Sequence, residues 1–316
     1  MFKEAISRRR FIKFMMTALA ALAGGAYLPR NVKAKDVSVG QRKKKGIKGD
    51  HDLVLAEGKD PYLMTVKAVE KMGGMGRFVK KGETVLVKPN MAWDRTVEQA
   101  ANTNPLVVAA LVELCYKAGA KRVNVFDRTC NAAERCYANS GIKKAAEEKN
   151  AKVYFVDDWN YVKAKFNYKS LMDGWPIYRD AVECDTLINV PVLKDHGLTN
   201  LTLSMKNFMG VCGGDRGGIH SDIGKRLVDL TDFMGPELTV IDAFRFLNAH
   251  GPSGGNLKDV VQMNKLIIAT DPTLADTYAA KLAQRDPFSV SYIAEAARRN
   301  FGNSNIDSAD IVRIAV

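Results

Sequence analysis

The sequence predicts an α/β fold, a mostly parallel sheet with helices on both faces, arranged as one large domain or two lobes. Three observations predict it. Short runs rich in Val, Ile and Leu alternate with longer helical patterns. Those runs are apolar on successive residues, as strands buried on both faces are. Roughly 265 residues follow a distinct leader, enough to enclose a sizeable core.

The leader comes first. Ser7-Arg8-Arg9-Arg10-Phe11-Ile12-Lys13 precedes an apolar stretch over residues 14–28, and Val32-Lys33-Ala34 offers a cleavage site that leaves Lys35 at the mature start. The stretch is rich in Ala and Gly and shorter than the roughly 20 strongly apolar residues that span a bilayer. A basic segment, an apolar segment and a small residue at the cut are the parts of a secretory signal. The paired arginines in this frame resemble the twin-arginine signal, by which already folded proteins are exported. Residues 1–34 are therefore expected to be a signal peptide, with the twin-arginine translocase as partner and a periplasmic or extracytoplasmic destination. Folded export raises the expectation of a cofactor inserted beforehand, without naming one.

Residues 35–50 follow as a basic linker, centred on Arg42-Lys43-Lys44-Lys45 and expected to be solvated. The net charge of +12 belongs to this end of the chain. Residues 1–48 hold 13 of the 47 basic and 2 of the 35 acidic residues, leaving 34 against 33 elsewhere. The domain over residues 51–316 thus lacks the positive field that nucleic-acid binding requires, and no nucleic-acid partner is expected.

Within that domain, strands are expected at 52–56, 84–87, 122–126, 153–156, 186–190, 238–241 and 266–269. Helices are expected at 62–71, 105–118, 142–149, 200–209, 223–233, 272–284 and 289–299. Residues 160–180 break the alternation and read as an inserted hairpin or a connection between halves. The strand ends carry a regularity. The successive runs lead into Lys88-Pro89-Asn90, Asp127-Arg128, Asp157-Asp158, Lys194-Asp195-His196, Asp242 and Asp271. In an open parallel sheet the carboxyl ends share one edge, and ligands bind in the crevice outside it.

Several segments together resemble the domain of unknown function 362 family. They are Lys88-Pro89-Asn90, the run from Ile188 to His196, Met205-Lys206-Asn207-Phe208-Met209-Gly210, His220, Asp242, Gly251-Pro252-Ser253-Gly254-Gly255, and Asp271 with Asp276. The resemblance runs from about residue 52 to about residue 285, and implies a fold and a site but no reaction. Many relatives append ferredoxin-like iron–sulfur modules. The five cysteines here form no C-x-x-C pair, so no iron–sulfur motif is written in this chain. Cys130 and Cys136 are the closest pair for a disulfide in an exported protein.

The densest constellation runs from Lys194 to Lys206. A helix capped by Thr199 or Asn200 would bury Leu201, Met205 and Phe208 and turn Lys206 to another face, its N-terminus favouring an anion beside Lys194 and His196. The alternative is that Lys206 and Asn207 hold the loop by buried hydrogen bonds. Lys194, His196 and Lys206 are the catalytic candidates, His196 as acid or base and Lys194 as anion holder or nucleophile. Lys88, Asn90, Asp127 and Asn207 are the ligand-binding candidates. His196, His220 and Asp242 form a candidate set for a divalent Zn, Ni or Fe ion. These expectations describe an exported enzyme acting on a small anion. The alternatives are an accessory protein that captures a ligand or metal, and a redox partner of an iron–sulfur subunit.

Overall fold

The structure is a computed structural model that describes residues 37–316. The expected twin-arginine signal and its expected cleavage site at Ala34 lie outside the described residues. The described chain begins with β1 (Ser38–Val39) and β2 (Leu53–Glu57), then α1 (Pro61–Lys71), β3 (Thr84–Pro89) and α2 (Pro105–Lys117). Next come β4 (Arg122–Val125), α3 (Ala133–Asn139), α4 (Ile142–Glu147), β5 (Lys152–Val153), β6 (Tyr161–Ala164) and β7 (Pro176–Tyr178). Then follow α5 (Arg179–Glu183), β8 (Thr186–Val190), β9 (Val192–His196), β10 (Asn200–Thr202) and α6 (Ser204–Asn207). The chain finishes with α7 (Ile223–Met234), β11 (Leu238–Leu247), β12 (Val260–Ala269), α8 (Pro272–Leu282), α9 (Ser291–Arg298) and β13 (Ile311–Ala315).

Local chemistry starts the longer helices. Asp60, Asn104 and Asp271 each cap a helix with a side-chain oxygen that accepts from first-turn amides, and each is followed by a proline at the first helical position. That pairing satisfies otherwise orphaned N–H groups and presets the helical φ.

The main sheet runs β13-β2-β12-β11-β8-β3-β4-β5, with β9 and β10 joined to it through β11. Only β12 runs against both its neighbours on that path; the other neighbouring pairs are parallel. Successive residues of β2 enter opposite cores: Leu53 and Leu55 on one face, Val54 and Ala56 on the other. One face is covered by α7, α8 and α9 through Leu230, Phe233, Leu274 and Ile293. The other is covered by α1, α2 and α4 through Met64, Leu111 and Ile142. This is the expected α/β sandwich of helices around a largely parallel sheet. The irregular stretch at 160–180 is an antiparallel hairpin, β6 with β7, which joins β1 in a separate three-stranded sheet.

The structure departs from three expectations. Asp271 follows β12, whose end meets the starts of β11 and β2, so it lies at the edge opposite the crevice. The helix expected over 200–209 is a strand and a short turn of helix. Asn200, Leu201 and Thr202 pair with His196, Asp195 and Lys194, and only then does α6 begin, passing into a 3-10 turn over Phe208–Val211. Last, the basic run is not a solvated linker. Arg42 is buried and forms a two-pronged pair with Glu237, at 2.6 and 3.0 Å. It also donates to the carbonyls of Cys184, Asp185 and Gly235. Lys45 bonds to Glu83 and to the Thr186 hydroxyl.

Candidate functional site

β3, β4, β8 and β9 deliver their ends to one crevice, where a cavity of about 490 Å³ opens. Its floor is a chain of polar side chains. Lys88 is wholly buried, and its Nζ donates to Asp127 Oδ1 at 2.9 Å, to Pro89 O at 2.8 Å and to Asn207 Oδ1 at 3.1 Å. Asp127 Oδ2 accepts from the Met91 amide at 2.7 Å. Asn207 Nδ2 donates to Asn189 Oδ1 and to Lys88 O. Asn90 links Asn207 to Lys194, whose Nζ also donates to Ala101 O at 2.6 Å. Gly210 closes over this network: a Cβ there would collide with the Asp127 carboxylate and the Lys88 ammonium.

The functional side chains stand on that floor. Strand β9 alternates, so Lys194 and His196 line the cavity while Asp195 faces away and accepts from the Gly251 amide. Helix α6 presents Lys206 and Asn207, its first amides held by Asp276, whose buried carboxylate accepts from Ser204 N and Met205 N. The glycine-rich loop then returns His220 to the same cavity, its ring centroid 6.1 Å from that of His196 with planes 26° apart.

Six of the seven expected catalytic and ligand-binding residues therefore line one cavity: Asn90, Asp127, Lys194, His196, Lys206 and Asn207. Lys88 lies beneath it, as the cation of the floor. Asp242 is not brought to the histidines. It sits within β11 rather than at a strand end, and its oxygens accept from the Asn104 and Phe244 amides at 2.7 and 3.0 Å. Burial raises its carboxyl to about 6. Among the described residues no group of three or more His, Cys, Asp or Glu side chains is placed to hold a metal, so the set His196, His220 and Asp242 is not assembled.

The electrostatics are those of a cationic pocket short of counter-charge. Arg128 and Arg216 line it with the lysines and histidines, while Asp127, its one carboxylate, is engaged by Lys88. Burial pulls Lys194 down to about 7, with Cys130 opposing the fall and Lys206 adding to it. Burial likewise lowers Lys206 to about 8. Lys206 is 8 % exposed, and its ammonium, with three protons to place, has one partner among the described residues, the Met209 sulfur at 3.4 Å. Thr202 also lines the cavity, and its buried hydroxyl has no partner among the described residues.

Backbone contacts fix the two imidazoles in complementary tautomers. The Leu198 amide donates to His196 Nδ1 at 3.1 Å, so the neutral ring carries its proton on Nε2. His220 Nδ1 lies 3.0 Å from Gly217 O, which can only accept, so that ring keeps a bare lone pair on Nε2. Burial, then the charges of Lys206 and Lys194, lowers His196 to about 3. His220 is also lowered, chiefly by burial. Neither ring carries charge near neutral pH.

Sequence reasoning passed over Arg216, Thr202 and Cys130 as parts of the site. Arg216 and Cys130 depend on how the glycine-rich loop folds against the turn after β4. Thr202 depends on the pairing of β10 with β9.

A family model described as Domain of unknown function (DUF362) matches residues 85–281. Thylakoid-associated protein sll1697 of Synechocystis sp. is 26% identical over 238 residues, which are 73% of this chain and 72% of that protein. Among solved structures, the lactate racemase apoprotein from Thermoanaerobacterium thermosaccharolyticum is similar at a TM-score of 0.47 and 12% identity, over 72% of this chain and 56% of that one. A protein from Thermotoga maritima is similar at 0.39 and 12% identity, over 58% and 51%. The chain spans just over half the length of each of these two structures.

Proposed function

The chain belongs to the domain of unknown function 362 family, and we propose that its cavity binds a small organic anion and moves a proton on it. One observation carries the reading: the buried Lys206 ammonium, whose sole partner among the described residues is a thioether, in a cavity crowded with other cations. An unpaired buried ammonium is costly, and an anion supplies the missing acceptors. Lys206 and Arg216 hold the anionic group in this reading. Lys194 completes the cationic wall.

The tautomers divide the remaining work and favour turnover over simple capture. His220, with its Nε2 lone pair free, is the base that takes a proton from the bound anion. His196 stays neutral and donates its Nε2–H to a ligand oxygen, polarising it without giving the proton up. The Lys88–Asp127–Asn207 floor keeps these groups in register.

Proton movement can be tested directly by isotope exchange, whatever the product. The full chain is incubated in D₂O with a panel of small carboxylates bearing an acidic C–H, and exchange is followed by proton NMR. At least one should lose its C–H signal, and His220→Asn should abolish the loss. A panel that binds without exchange sinks the catalytic reading.

The leader supports export by the twin-arginine route as the address of this activity, with the periplasm or another extracytoplasmic space as its place of work.

A further inference from the structure

Four of the five cysteines, Cys115, Cys136, Cys184 and Cys212, are buried thiols, whereas Cys130 is exposed and lines the cavity. All five are free. Cys130 is fixed from both sides: its amide donates to Ala92 O at 2.7 Å, and Arg216 Nη2 donates to its sulfur at 3.2 Å. Lys194 and Lys206 line the same cavity. The Lys206 ammonium, whose one partner among the described residues is the Met209 sulfur, points separately to a cavity that takes a ligand.

We propose that Cys130 is the nucleophile of the cavity, directed at a small anion that carries an electrophilic carbon beside its anionic group. The inference rests on the anion-binding reading above and adds a covalent step to it. Lys206 and Arg216 hold the anionic group, which places the neighbouring carbon against a sulfur that Arg216 itself touches. The thiol proton passes to the Lys194 amine. In its neutral form that amine keeps two N–H bonds, enough for Asn90 Oδ1 and Ala101 O, and retains a lone pair to receive the proton. The sulfur's electron pair forms the S–C bond, and the leaving group departs with the pair of the bond that breaks. No net oxidation or reduction occurs.

Iodoacetate and iodoacetamide separate this proposal from ordinary thiol exposure, because they differ in charge and share one leaving group. The full chain is treated with each near neutral pH, rates are taken relative to those of a small free thiol, and the modified residue is identified by peptide mass spectrometry. Iodoacetate should modify Cys130 alone and show saturation. Its preference over iodoacetamide should exceed that of the free thiol about tenfold, the low end of what a charged cleft supplies. Lys206→Met should erase that preference while iodoacetamide still reacts. If acetate binds by calorimetry but iodoacetate shows no preference for Cys130, the anion reading stands and the nucleophile is overturned. If acetate does not bind and no preference appears, both readings fall.

Discussion

Lys206→Met tests the central claim about charge, because free stability and ligand affinity should move in opposite directions with pH. The substitution keeps an unbranched side chain one atom shorter and removes the ammonium. Burial holds Lys206 at about 8 in the folded protein, against an ordinary lysine value of 10.5. Between those values the unfolded chain binds more protons, so this residue makes the free protein more stable as pH rises from about 8 to about 10.5. Below about 8 the folded chain carries a buried charge at full cost. The gap corresponds to roughly 3 kcal/mol, and a variant without the charge should recover a part of it near pH 6. Anion affinity should run the other way. Lys206 is about nine-tenths charged at pH 7 and about one-tenth charged at pH 9, so an anion that needs it binds about tenfold more weakly at the higher pH. Lys194, lowered to about 7, steepens the fall. Thermal unfolding with and without saturating oxalate reads both effects. In the wild type the stabilisation by oxalate should shrink by at least about 1.4 kcal/mol from pH 7 to pH 9, and in Lys206→Met the free protein should be more stable at low pH and the oxalate effect much smaller. Equal stabilisation at both pH values, or the same fall in the variant, refutes the assignment of Lys206 as the anion's partner.

The sequence revealed the site better than it revealed the segment that carries it. Lys194 and His196 were readable as neighbours because alternation along an extended run puts both on one face, and Asp195 on the other, whatever the run pairs with. The stretch after them was not readable in the same way. Leu201, Met205 and Phe208 are all buried, as the helical spacing implied, but three apolar positions satisfy a helix and a strand followed by a turn equally well. The antiparallel pairing of Asn200 with His196 decided between them, and pairing is a tertiary fact. Asp271 and Asp242 fail for related reasons. A strand's direction decides which edge its end reaches, and direction is not written in composition. A carboxylate at the rim serves a ligand only if backbone amides have not already claimed it, as those of Asn104 and Phe244 claim Asp242. The basic run misled most. Four successive cations read as solvated, yet one acid buried far along the chain was enough to draw Arg42 inward.

Two other predictions concern the N-terminal part of the chain. Replacing Arg8 and Arg9 together with Lys should keep the precursor inside the cell, because paired guanidinium groups are the recognised feature of the twin-arginine signal; normal export of the double variant in a strain with a working twin-arginine system contradicts the assignment. Arg42→Ala should destabilise the domain by about 3–5 kcal/mol, since it strands the Glu237 carboxylate, whose side chain is 1% exposed. Glu237 also accepts from the Leu187 amide at 2.8 Å, which softens the loss toward the lower figure. Adding Glu237→Gln to Arg42→Ala should restore much of the stability, because the neutral amide leaves no buried charge behind. Chemical denaturation of the two variants and the wild type measures this. If Arg42→Ala unfolds with the wild-type midpoint, the run from Arg42 to Lys45 is a linker after all and the ordered domain begins beyond it.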